Sequence, residues 1–204
     1  MIAIIDYGMG NLASVYNAFN KVGATDIKIT SDPDEISKAD KLVLPGVGAF
    51  EDAMKNLKAG NLIIPILESV DMGKPFLGIC LGFQLVFEKS YENGVFEGLG
   101  IFKGEVVRFN IDEPVPHIGW NEAEFCKVSP LSDGLSGSVY FYFDHSYYPV
   151  PKDKDIICAV TGYETKFASV INRDNIYAVQ FHPEKSHTNG LKIIANFAEL
   201  GTIL

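Results

Sequence analysis

The first eighty residues set four short strand-like runs, at 2–5, 27–29, 41–44 and 76–79, apolar but for Lys28 and Lys41, between longer amphipathic stretches, and this alternation restricts the fold more than any other feature of the chain. The runs are too short for independent helices. Between the first two, Leu12, Val15, Phe19 and Val22 recur at helical spacing, Asp32-Pro33 is a helix-start signal, and amphipathic segments cover 51–58 and 62–72. Strands joined by helical crossovers predict a mainly parallel sheet with helices on both faces. In an open sheet of that kind ligands gather at the C-terminal ends of the strands, which is where Asn11, the stretch Pro45-Gly46-Val47-Gly48-Ala49-Phe50 and Cys80 fall.

Beyond residue 84 the texture changes to short β-like runs at 105–109, 117–125, 139–143, 156–161, 167–172 and 176–181, closed by Ile193, Ile194, Phe197 and Leu200 at helical spacing. The expected fold class is α/β: a mainly parallel open sheet with an added antiparallel β portion, in one domain over 1–204.

Composition removes several classes of function. The longest apolar runs are 62–67, broken by Pro65, and 76–79, so no transmembrane helix is expected. Met1 leads straight into the first apolar run, which predicts no secretory signal and a cytoplasmic protein. Three cysteines, Cys80, Cys126 and Cys158, have no paired spacing and fit neither a disulfide framework nor a zinc site. A net charge of −9 without a Lys/Arg cluster argues against nucleic acid. No membrane partner, metal or cofactor is expected.

The chemistry-bearing residues fall at two places. Gly78 and Gly82 flank Cys80 at two residues on either side, the spacing of a nucleophile elbow, where missing side chains let a strand turn sharply into a helix. The thiol is thereby aimed out of the sheet, and the positive end of the following helix favours its thiolate. Far along the chain stands Gln180-Phe181-His182-Pro183-Glu184-Lys185-Ser186, directly after an apolar strand. In extended backbone His182 and Glu184 project to the same side, so the carboxylate holds one imidazole nitrogen and leaves the other for a thiol. Pro183 ends regular pairing there. Cys80, His182 and Glu184 supply nucleophile, base and orienter.

Gly78-Ile79-Cys80-Leu81-Gly82-Phe83-Gln84 together with Phe181-His182-Pro183-Glu184 resembles the class I, triad-type glutamine amidotransferases. Asp6-Tyr7-Gly8-Met9-Gly10-Asn11, Pro45 to Phe50, Pro116-His117-Ile118-Gly119-Trp120-Asn121, His145-Ser146-Tyr147-Tyr148 and His182 to Ser186 narrow the resemblance to the glutaminase subunits of imidazole glycerol phosphate synthases, and these motifs span the chain. The resemblance implies hydrolysis of the L-glutamine amide through a cysteinyl thioester, with oxyanion N–H groups from Leu81 and from Val47 or Gly48. Substrate contacts are then expected from Gln84 and from backbone groups around Ser146 and Tyr147. It further implies a (β/α)8-barrel cyclase partner that uses the ammonia in histidine biosynthesis, docked against Asn11, His117, Trp120, Asn121 and Lys185. A glycine at 48 permits a peptide flip, so activity is expected to depend on the partner's state. His117 and His145 lack metal-motif spacing and read as structural hydrogen bonders.

A cysteine peptidase or γ-glutamyl hydrolase is disfavoured by Gln84 and the 45–50 stretch, which also differs from the oxyanion segments of the glutaminases serving vitamin B6 or anthranilate synthesis. The intact triad argues against a non-catalytic interaction subunit. A paralogue feeding surface-sugar modification through a cyclase-like partner stays open, because Asp144 stands where an apolar residue is usual and Tyr163-Glu164 replaces Tyr-Gly.

Overall fold

The computed structural model describes residues 1–201, and the last three positions of the expected 1–204 domain lie outside the described residues. The first half runs β1 (Ile2–Ile5), α1 (Leu12–Lys21), β2 (Ile27–Thr30), α2 (Pro33–Lys38), β3 (Lys41–Gly46), α3 (Phe50–Ala59), α4 (Ile63–Asp71), β4 (Phe76–Cys80) and a five-residue helix α5 (Leu81–Leu85). The second half contains β5 (Phe87–Ser90), β6 (Phe96–Glu97), β7 (Phe102–Arg108), β8 (His117–Phe125), β9 (Ser138–His145), β10 (Tyr147–Pro151), β11 (Ile157–Tyr163), β12 (Thr165–Arg173), β13 (Ile176–Val179) and α6 (His187–Glu199).

Among the described residues nine strands form one sheet in the order β2-β1-β3-β4-β13-β12-β11-β8-β9. From β2 to β13 neighbours are parallel, and from β13 to β9 they are antiparallel. The chain's last strand is therefore the seam between the two halves. A second sheet, β10-β7-β5-β6, packs beside it.

Period-two projection divides the parallel strands between two cores. Ala3, Ile5, Leu42, Leu44 and Phe76 point to a face covered by α2, α3 and α4 through Ile36, Ala53, Leu57 and Ile66. Ile2, Ile4, Val43, Leu77 and Ile79 point to the other face, covered by α1 and α6 through Val15, Phe19, Ile193 and Phe197. Both faces of these strands are dry, which is why their sequences read as unbroken apolar runs.

Three strands depart from the sequence reading. β5 and β6 occupy residues with no clear alternation, and β10 carries Pro149 and Pro151. Proline is tolerated there because β10 is an edge strand of the smaller sheet.

Candidate active site

The sharp turn at Cys80 is imposed by its two neighbouring glycines. A Cβ on Gly82 would lie 1.8 Å from the Leu44 carbonyl oxygen, and one on Gly78 would lie 2.7 Å from the Gly82 oxygen. With β3, β4 and α5 this close, Cys80 adopts φ 54°, a left-handed conformation that costs a non-glycine residue about 1–3 kcal/mol. The side chain is turned out of the strand row toward the sheet's C-terminal edge. One expectation is corrected here. α5 is only five residues long, so few peptide dipoles add up behind the thiol. The group that answers Cys80 is the His182 imidazole, whose protonated form the cysteine's charge favours.

β13 ends at Val179, and the chain beyond it stays tied to the sheet by Gln180 N–H donating to the Ser169 oxygen and His182 N–H donating to the Tyr142 oxygen, each at 2.9 Å. Phe181 stacks flat on Phe141, centroids 3.8 Å apart. His182 is thus fixed from both sides before its ring is considered. Glu184 then approaches through a single 3-10 turn, Pro183–Lys185, and not through extended backbone as the spacing predicted. The pairing itself is present: His182 Nδ1 lies 2.9 Å from Glu184 Oε1, with both side chains almost fully buried. Burial pulls the His182 pKa down, but the charge and hydrogen bond of Cys80, together with Glu184, outweigh it and push the imidazole up to about 10. The second Glu184 oxygen has no partner among the described residues.

A cavity of about 260 Å³ opens onto Cys80 and is lined by Val47, Gly48, Leu81, Gln84, Ser146 and Tyr147 among others. The structure therefore brings together at one hollow the expected nucleophile, oxyanion and substrate-contact positions. Leu81 follows Cys80 directly as the first residue of α5. Gly48 has φ 95°, and Val47 is 42% exposed. Their segment is held at its two ends: Tyr7 Oη donates to the Pro45 oxygen at 2.9 Å, and the Phe50 N–H donates to Glu92 Oε2 at 2.8 Å. A larger hollow of about 690 Å³, between α3, α4 and Phe96, is lined by no cysteine or histidine.

One hollow of about 260 Å³ thus meets a buried cysteine, a buried histidine–carboxylate pair lies behind that cysteine, and the backbone of 47–48 and of Leu81 lines the same hollow. Comparison with known proteins agrees. Residues 3–200 match the model of the family described as glutamine amidotransferase class-I. The imidazole glycerol phosphate synthase subunit HisH of Aquifex aeolicus is 52% identical over 95% of this chain and 94% of its own length. That of Syntrophotalea carbinolica is 49% identical, over 98% of this chain and 100% of its own length. The chain belongs to the HisH family of class-I glutamine amidotransferases.

The class-I amidotransferase fold is seen again in two solved structures of low identity. A glutamine amidotransferase is 17% identical with a TM-score of 0.73, covering 98% of this chain and 100% of that one. The PurLQS structure from Thermotoga maritima is 15% identical with a TM-score of 0.75, covering 96% of each chain. Among the described residues no helix is long and apolar enough to cross a membrane, and no group of three His, Cys, Asp or Glu side chains is placed to hold a metal ion.

Two details of this HisH-family site were not foreseen. Gln180, fully buried, donates from Nε2 to Cys80 Sγ at 3.8 Å and accepts from Gln84 Nε2 at 3.4 Å. Its only sequence signal is a polar residue closing an apolar strand. The Tyr147 carbonyl, expected among the groups receiving the substrate ammonium, already accepts from Gln84 Nε2 and from His145 Nδ1, each at 2.9 Å. With both lone pairs used, that carbonyl orients other groups.

The expected docking residues separate. Asn11, Trp120 and Lys185 are exposed and Asn121 is half-buried. Ser14, Lys185 and His187 line one groove, and Trp120 stacks on His187 at 5.1 Å, so the start of α1, the 183–185 turn and β8 share a surface. His117 does not belong to it. Its side chain is 3% exposed and is sandwiched between Phe143 and Tyr163, because at this position β8 turns its histidine inward and leaves Ile118 and Trp120 outside.

Proposed function

We propose that the chain, acting as one glutaminase domain, hydrolyses L-glutamine and hands the ammonia to a (β/α)8-barrel cyclase subunit that makes imidazole glycerol phosphate and an aminoimidazole carboxamide ribotide in histidine biosynthesis. The observation that carries the chemistry is the buried His182–Glu184 pair set against Cys80 at the amino-acid-sized hollow. Cys80 thiolate attacks the carboxamide carbon, and the electron pair of the C=O moves to oxygen. His182, carrying the proton, gives it to the leaving nitrogen, so ammonia departs and a γ-glutamyl thioester remains. Water, deprotonated by His182, then hydrolyses the thioester to glutamate and restores the thiol. The oxyanion of each tetrahedral intermediate is met by the Leu81 N–H and by the N–H of Val47 or Gly48, each donor worth about 3 kcal/mol of barrier. Backbone groups around Ser146, which lines the hollow, receive the substrate's amino-acid group.

The Val47–Gly48 peptide is the element through which a partner sets the rate. Anchored at Pro45 and Phe50 and exposed between them, it reorients when the cyclase is occupied. The ammonia leaves toward the surface that includes Asn11, Trp120, Asn121 and Lys185, where a closed path spares it from protonation in water.

The test uses the chain together with its cyclase partner. Cys80→Ala abolishes glutamine-dependent synthesis while synthesis from added ammonium salts continues; retained glutamine hydrolysis overturns the assignment. Equal glutamine turnover with and without a liganded partner overturns the conditional oxyanion segment.

A further inference from the structure

From β8 to the nucleophile runs an unbroken line of hydrogen bonds. Asn121 Nδ2 lies 3.1 Å from His117 Nε2, His117 Nδ1 lies 3.0 Å from His145 Nε2, and His145 Nδ1 lies 2.9 Å from the Tyr147 oxygen. The Tyr147 oxygen also accepts from Gln84 Nε2, and Gln84 leads through Gln180 to Cys80.

Every donor and acceptor in this line is determined, and from both ends independently. At the outer end the Glu122 N–H donates to Asn121 Oδ1 at 2.8 Å, which fixes the Asn121 amide with Nδ2 toward His117. His117 Nε2 is then an acceptor, its Nδ1 carries the hydrogen, His145 Nε2 accepts it, and His145 Nδ1 carries a hydrogen for Tyr147. Starting instead from the Tyr147 carbonyl, which can only accept, the same assignment follows in reverse. Both imidazoles must be neutral, since an extra proton on either would set donor against donor. Burial keeps both pKa values low, His117 at about 4 and His145 at about 3. Aromatic contacts lock the ring planes: His117 between Phe143 and Tyr163, His145 against Phe109 and Phe167.

The line ends by spending both hydrogens of the Gln84 amide nitrogen, one on Tyr147 and one on Gln180. What Gln84 has left for the cavity is its carbonyl oxygen, an acceptor suited to an ammonium group. We infer that His117, His145 and Gln180 are positioning residues for the glutamine reaction, fixing the Gln84 amide so that its oxygen and not its nitrogen meets the substrate's α-ammonium. This rests on the reading of Gln84 as a substrate contact.

The experiment measures glutamine saturation curves, and separately the rate of Cys80 alkylation by iodoacetamide, in the complex with the cyclase partner. His145→Asn places an amide N–H where Nδ1 stood and keeps the donor to Tyr147; His145→Gln places it where Nε2 stood and leaves the Tyr147 carbonyl without that donor. His145→Asn is expected to hold KM within about threefold of the parent, whereas His145→Gln raises it about tenfold or more with kcat little changed, the pattern of a lost binding contact. Alkylation of Cys80 proceeds at the parental rate in both. Equal KM in the two variants overturns the inference, as does a His145→Gln chain whose alkylation slows in step with turnover. On a Gln84→Ala background His145→Gln adds nothing further to KM; an additive increase overturns the inference. His117→Gln, which removes the donor to His145 Nε2 at a residue away from the docking surface, gives the same KM-only change at smaller size, so the test survives a misfolded His145 variant, and a His117→Gln chain with altered kcat alone overturns the inference. Failure of the reading of Gln84 shows elsewhere, as a Gln84→Ala chain that keeps the parental KM for glutamine.

Discussion

Replacing Glu184 with glutamine preserves the shape of the His182 pair and removes its charge. The new carbonyl can still accept from Nδ1, and the new amide nitrogen falls where Glu184 Oε2 now lies without a partner. A buried hydrogen bond to a charged group is worth about 1.5–3 kcal/mol, and exchanging it for a neutral one forfeits about half. The carboxylate's field on the imidazolium is lost as well. Taken together the change is about 1.5–3 kcal/mol, or about 1–2 units at 1.36 kcal/mol per unit. His182 stands at about 10 in the parent, above its ordinary 6.5, so its contribution to folding is fully present below pH 6.5 and fades as pH rises through 10. In Glu184→Gln the fade begins at lower pH by the same amount. Nitrogen NMR of the imidazole follows the titration directly, and urea unfolding at several pH values follows the linked stability. An unchanged His182 midpoint refutes the reasoning, because it would mean that Glu184 does not hold the imidazolium at all.

The elbow makes a second demand. Gly82→Ala drives a methyl to 1.8 Å from a backbone oxygen of a central strand, where nothing flexible can yield, and it should destabilise by at least about 3 kcal/mol in urea unfolding; a loss under about 1 kcal/mol would contradict the packing. A third concerns Glu164, held at φ 55° at the tip of the β11–β12 hairpin, where its carboxylate accepts the Asp112 and Glu113 N–H groups at 2.8 and 2.9 Å. Glu164→Ala keeps the strained backbone and loses both bonds, while Glu164→Gly loses the bonds and relieves the strain, so thermal unfolding should rank glycine above alanine by about 1 kcal/mol.

Glu164 also explains one departure from the family pattern. The position is left-handed, which suits the glycine usual there, and this chain supplies a carboxylate that ties down the 112–113 loop instead. How much could be read beforehand followed from how local the cause was. The parallel half was legible because β1, β3, β4 and β13 are apolar on both faces and each crossover has its own period. The elbow was legible because two glycines at fixed offsets have a local steric cause. β5 was not, since Phe87-Glu88-Lys89-Ser90 buries only its two ends and so carries little apolar signal. Gln180 and the inward turn of His117 escaped for another reason. Each is a polar group whose partners lie far away in sequence, 96 residues for Gln180 with Gln84 and 28 for His117 with His145, and no periodicity encodes such a pairing. The 3-10 turn between His182 and Glu184 shows the reverse case, in which the right pairing followed from a backbone geometry the chain does not use.

The place of β13 bears on when this molecule becomes reactive. As the seam between β4 and β12 it is required by both halves of the large sheet, yet it follows every other strand of that sheet in sequence, and Gln180 just beyond it follows Cys80 by a hundred residues. At about 5–20 residues per second of synthesis, that is a wait of about 5–20 seconds in which the thiol exists without its base. During that interval β4 also presents an open edge, joined by that of β12 just before β13 is made, the kind that invites pairing with other chains. Insertion of one four-residue strand closes both edges and delivers His182 to Cys80 in the same event, so a nascent chain acquires its nucleophilic chemistry only at the moment its sheet is sealed.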